Sequence, residues 1–191
     1  MKTLVKVALL TMVVVSMSGC AGNRNAIVKA GESTRQDVFK EATASAAVSD
    51  KALLKIDFPV KNFKARFIEN YIKHTDPPYT ITINIDGQSV VLASEPVLED
   101  ISGDFKENPE VGTGWKYNFK KELLLETGKH HVTIAVPLSD VVIEKDVTLK
   151  AGANLMQLAP VYNASISRYP NYPRFSHGLR SAVVKVNSQE L

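Results

Sequence analysis

The chain has 191 residues, 23 Lys and Arg against 20 Asp and Glu, and one cysteine, Cys20. A net charge of +3 excludes the basic footprint of a nucleic-acid-binding domain. A lone cysteine excludes a disulfide-stapled scaffold, while the length suffices for one domain with a sizeable core.

Lys2 and Lys6 charge the N-terminus, residues 7–15 (VALLTMVVV) are apolar apart from Thr11, and Ser16, Ser18 and Gly19 make a small-residue exit. A charged start, a short apolar run and a small exit make a secretory signal. The run is shorter than the roughly 20 residues that cross a bilayer. The order Met17-Ser18-Gly19-Cys20 resembles the lipobox of bacterial lipoproteins, with Met17 where Leu is more usual. The resemblance implies cleavage after residue 19, lipidation of the Cys20 thiol with several acyl chains (palmitate among them) and a stable membrane anchor. An ordinary cleaved signal, or a buried N-terminal helix with an incidental cysteine, is the plainer alternative. Ala21 stands where Asp retains enterobacterial lipoproteins in the inner membrane, so the resemblance implies the outer membrane, facing the periplasm.

The organisation expected is therefore a signal peptide over 1–19, a lipidated tether over 20–32 and a single β-rich domain over 33–191. The small, polar stretch 21–32 reads as extended chain. Residues 33–48 read as a short helix, with Ser33 and Gln36, or Thr34 and Asp37, as capping pairs.

From residue 52 the period becomes two. Ala52, Leu54, Ile56, Phe58 and Val60 alternate with more polar positions, as do Ile81, Ile83 and Ile85. Asp86-Gly87 before QSVVL is a two-residue hairpin signal. Residues 100–114 read as the clearest long loop. Trp115, Tyr117 and Phe119 share a face; so do Val132, Ile134 and Val136, and then Val141, Ile143, Val147 and Leu149. Segments 155–159 and 182–186 add two shorter strands. Many half-buried strands predict a mainly β fold, an antiparallel β-sandwich of Ig-like or transthyretin-like kind, preceded by one short N-terminal helix. Gly128, Lys129, His130, Leu149, Gly152, Asn154, Leu158 and Pro160 within 124–160 resemble the PEGA-like and transthyretin-like β-sandwich modules of bacterial surface proteins, although the PEGA tetrapeptide itself is absent. The resemblance implies a module that binds or spaces.

Chemistry is sparse. His130 and His131 are neighbours on a strand entry and point to opposite faces, a poor metal pair. Glu99, Asp100, Asp104, Glu107 and Glu110 could gather calcium, but Lys106 lies among them and the spacing fits a solvated acidic loop. No metal, cofactor or enzyme activity is expected. A hydrolase using His177, beside Ser176, is the third reading, and no acid is placed to orient it. The segment RYPNYPRFSHGLR (168–180) is the most unusual. Arg168, Tyr169, Tyr172, Arg174, Phe175 and His177 are candidate partner-binding residues, since Tyr and Arg concentrate at binding hot spots and prolines stiffen the chain. Tyr169, Tyr172 and Phe175 recur every third residue and would line one edge of a polyproline II helix. Alternatively the segment crosses the sandwich and its rings close one end of the core. The leading expectation is a non-catalytic envelope binding module for a protein or glycan, held to the membrane through Cys20. The rival is a structural or assembly subunit of an envelope complex.

Overall fold

The computed structural model describes residues 18–42, 50–63, 78–164 and 172–191. Among these residues one α-helix, α1 (Ser18–Gly31), precedes eleven strands: β1 (Phe39–Glu41), β2 (Ala52–Phe63), β3 (Thr80–Ile85), β4 (Gln88–Ala93), β5 (Val97–Ile101), β6 (Gly112–Leu125), β7 (Gly128–Val136), β8 (Val141–Leu149), β9 (Gly152–Tyr162), β10 (Leu179–Val186) and β11 (Gln189–Glu190). They form two sheets. A seven-stranded sheet runs β1-β6-β2-β9-β10-β11, with β5 also paired to β6, and a four-stranded sheet runs β4-β3-β7-β8.

Alternation places the core between the sheets. Ala52, Leu54, Ile56, Phe58 and Val60 of β2 face Ile81, Ile83 and Ile85 of β3, all buried. Tyr117 and Phe119 stack nearly parallel with centroids 5.8 Å apart, and Tyr79 tilts against both. The mainly β sandwich is as the alternation predicts, and all but one of its strand pairs are antiparallel.

The exception is the parallel pair of β2 with β9, which runs from Ala52↔Gly152 to Asp57↔Gln157 and stops. Pro59 and Pro160 lie within three residues beyond its last rung. A proline cannot donate to a ladder, so both strands carry a residue that resists further pairing where they part. β2 continues with β6 alone to Phe63↔Gly114. This fork positions the site described below.

The β3–β4 hairpin forms at Asp86-Gly87, both with positive φ (48° and 92°), as a type I′ turn requires. Among the PEGA-like residues, Asn154 has a structural role in the turn between two strands. Asn154 is fully buried; its amide donates to the carbonyls of Lys150 (2.7 Å) and Gly152 (3.0 Å), and its Oδ1 accepts from Lys150 N, locking the β8–β9 turn.

Three expectations need correction. The described helix lies at 18–31, in the stretch read as an extended tether, and residues 33–42 of the expected 33–48 helix are not helical. Residues 39–41 are strand β1, and 43–49 lie outside the described residues. Two of the side chains read as caps serve the β3–β4 hairpin instead: Ser33 Oγ accepts from Ser89 N (2.9 Å), and Thr34 Oγ1 donates to Gly87 O (3.3 Å), while Asp37 pairs with Arg35. Third, the long loop is shorter than 100–114, because β5 extends to Ile101 and β6 begins at Gly112. Among the described residues no helix is long and apolar enough to cross a membrane.

Candidate functional site

Beyond the fork, the Lys61 amide has lost its strand partner, and the Tyr162 hydroxyl accepts its proton at 2.9 Å. The same hydroxyl donates to Glu110 Oε1 at 2.6 Å, and the other oxygen of Glu110 pairs with the Lys116 ammonium. Burial pushes the Tyr162 phenol far above its ordinary range, and the hydrogen bond to Glu110 pushes it further in the same direction.

The Lys61 side chain projects from the outer face of the large sheet, yet it is fully buried. Its ammonium donates to Glu110 O (2.9 Å) and Gly112 O (2.7 Å) and lies 3.3 Å from Glu99 Oε2. Two carbonyls thus take two of its three protons, and the Glu99 carboxylate beside it offsets the buried charge. The Phe175 ring covers it, with the ammonium 4.9 Å from the ring centroid. Phe175 lies on Gly112 and Gly114; a Cβ at Gly114 would come 2.5 Å from the ring and 2.7 Å from Asn62 O. The Phe175 amide donates to Pro109 O at 3.0 Å. Loop 102–111 and the segment from residue 172 onward are therefore laid over the end of the sheet as one cap.

On the outside of that cap, the Phe105 ring meets Tyr172 edge-on at 5.8 Å. The Arg174 guanidinium lies 4.6 Å from the Phe105 centroid, and the Lys106 ammonium 5.7 Å from that of Tyr172. Tyr172 and Arg174 are half-buried, Phe175 is buried and His177 is exposed. Tyr172 and Phe175 therefore do not line one open edge: Phe175 turns inward to roof Lys61, while Tyr172 stays on the rim. Arg168 and Tyr169 lie outside the described residues, as does the side chain of Cys20. His177 closes a single 3₁₀ turn (Phe175–His177), and its ring meets no carboxylate among the described residues.

Four of the five carboxylates of the acidic loop serve the fold. Glu99 and Glu110 serve Lys61, Lys116 and Tyr162, Asp100 accepts from Thr113 (3.0 Å), and Asp104 accepts from Lys106 N (2.9 Å). Among the described residues no group of His, Cys, Asp and Glu is arranged to hold a metal ion. His130 and His131 do face opposite ways. His130 is buried between Asp86 Oδ2 (2.6 Å) and Glu126 O (2.9 Å), while His131 pairs with Asp146 on the surface. Sequence reasoning missed Lys61, Phe105 and Tyr162, and read Glu110 as part of a solvated acidic loop rather than as the partner of Tyr162 and Lys116. The one local signal is Gly112-Thr113-Gly114, two glycines on the same strand face, where an aromatic ring can lie flat.

Comparison with protein-family models, curated proteins and solved structures returns no match.

Proposed function

We propose that this chain is a lipid-anchored envelope protein, held in the outer membrane through Cys20 and facing the periplasm, whose sandwich is a non-catalytic binding module for a protein or glycan. The observation that carries the reading is the rim of Phe105, Lys106, Tyr172 and Arg174, aromatic and cationic groups stacked on one another and half open to solvent. Such groups are the usual anchors of an interface. The buried roof of Phe175 on Lys61 holds them in place beforehand, which lowers the entropic cost of binding.

The test is a crosslinking pull-down from membranes, comparing the intact protein with a Tyr172→Ala, Arg174→Ala double variant whose circular dichroism matches the parent. Recovery of a partner by the parent and its loss from the variant is the expected result. Equal recovery by both removes the rim from the proposal. In that event the assembly-subunit reading takes precedence, and it has an observation of its own. Among the described residues strand β5 pairs with β6 on one side only, and Val97 and Leu98 are 60% and 48% exposed. A free edge of this kind can accept a strand from another chain.

A further inference from the structure

We infer that α1 is a strut that sets the β7–β8 turn, residues 137–140, against the lipid surface. The inference rests on the lipid-anchor reading and goes beyond it, because a flexible tether would leave the domain free to turn. The helix is fastened at both ends to the small sheet. Near its start, Asn23 Nδ2 donates to Asp140 O at 3.1 Å. At its end, Ser89 Oγ donates to Gly31 O (3.1 Å) and Asn84 Nδ2 to Glu32 O (3.0 Å), while Ala30 is buried against the sheet. Cys20 lies three residues before Asn23, about 4.5 Å along the helix axis. The backbone of Cys20 therefore lies beside the β7–β8 turn, and an anchor on that residue brings the turn to the lipid surface.

That turn presents an apolar tip. Leu138 is 52% exposed at the middle of a 3₁₀ turn (Pro137–Ser139), next to exposed Pro137. Arg24, one residue past the fastening point, is exposed and can meet anionic headgroups. Asp140 is also exposed and keeps the turn from sinking beyond the headgroup layer. The chemistry that fits is a phospholipid surface bearing anionic headgroups, with Leu138 at the acyl boundary. Lys129, at the far end of β7, then stands about 30 Å away.

The experiment uses the chain from Cys20 onward, which contains every described strand, with its only thiol coupled to a maleimide phospholipid. It is displayed on phosphatidylethanolamine–phosphatidylglycerol vesicles containing brominated lipid. Leu138→Trp and Lys129→Trp are compared against the parent, in which Trp115 is the constant background. The expected result is a blue shift and loss of the added emission for Leu138→Trp, and neither for Lys129→Trp. Equal quenching of the two, or none at position 138, overturns the proposal. Asn23→Ala removes the pin without touching the tip; restored emission from Leu138→Trp in that background supports the strut, and unchanged quenching overturns it. The mass of the Cys20 peptide from envelope-purified protein reports acylation separately. A bare thiol there sinks the anchor reading while the coupled vesicles still test the geometry.

Discussion

The Tyr162 hydroxyl and the Lys61 ammonium close a gap that two parting strands would otherwise leave to water. Their neighbour Gly114 is fixed by that closure. Alanine there puts a methyl group inside the contact distance of both the Phe175 ring and the Asn62 carbonyl. Overpacking of this kind costs about 1–3 kcal/mol. The expected outcome for Gly114→Ala is a lowered melting temperature, partly relieved by Phe175→Leu, because the ring can be shortened and the carbonyl cannot. Strict additivity of the two substitutions would show that Phe175 does not lie on Gly114. Tyr162 leads to a second prediction. Its phenol is held neutral by burial and by Glu110, Tyr79 is raised by burial, and burial pushes Tyr117 up to about 12. A phenol raised above its unfolded value, about 10, contributes stability that is fully present below pH 10. That stability is lost as pH rises from there through the folded value. Melting temperature should therefore fall above pH 10, less steeply in Tyr162→Phe. Ultraviolet titration of the folded protein should show these three phenols ionising late; ionisation of all six tyrosines near the ordinary value would contradict the burial.

At the scale of elements, strands were legible and connections were not. Ile81, Ile83 and Ile85 announce a half-buried strand by period, and Asp86-Gly87 announces its turn. The α1 stretch announces little: in SGCAGNRNAIVKAG only Ala26, Ile27 and Ala30 make an apolar face, so its helix depends on the sheet beneath it. The opposite holds at 33–34, where Ser33 and Thr34 suggest caps. Such side chains serve any exposed backbone donor or acceptor, and here the nearest belong to the β3–β4 hairpin. The last part of the passage from α1 to β1, at Val38 and Phe39, is held by Gln88. Gln88 Oε1 accepts from the amides of Val38 (2.8 Å) and Phe39 (3.0 Å), and its Nε2 donates to Phe39 O (3.0 Å). Gln88→Ala strands these partly buried backbone groups, at a cost of about 1–3 kcal/mol. Hydrogen exchange should accelerate at Val38 and Phe39 and stay unchanged across the β7–β8 pair. Acceleration spread evenly over both sheets would mean that the passage is not an independent unit.

For the whole molecule, the decisive contact is the one least visible in the sequence. β2 and β9 align in parallel across about a hundred residues, and that pairing joins the early strands to the late ones within one sheet. No periodicity can announce a partner so distant, although Pro59 and Pro160 mark where it must end. The buried residues of both sheets then form one continuous core. Two consequences follow from this arrangement. Neither sheet can keep its inner face dry alone, so unfolding in denaturant should be a single transition, with Trp115 fluorescence and far-ultraviolet dichroism coinciding. The closure entropy of the long β2–β9 loop must be met before its contacts form, so refolding should be slow for the size of the domain, on the order of milliseconds to seconds. Asp57→Pro tests which pairing limits the rate, since it strikes the last rung of the parallel ladder. If β2–β9 docking lies in the transition state, refolding slows in proportion to the stability lost. A faster unfolding rate with unchanged refolding would place that docking after the barrier, with the antiparallel neighbours β2 and β6 forming first.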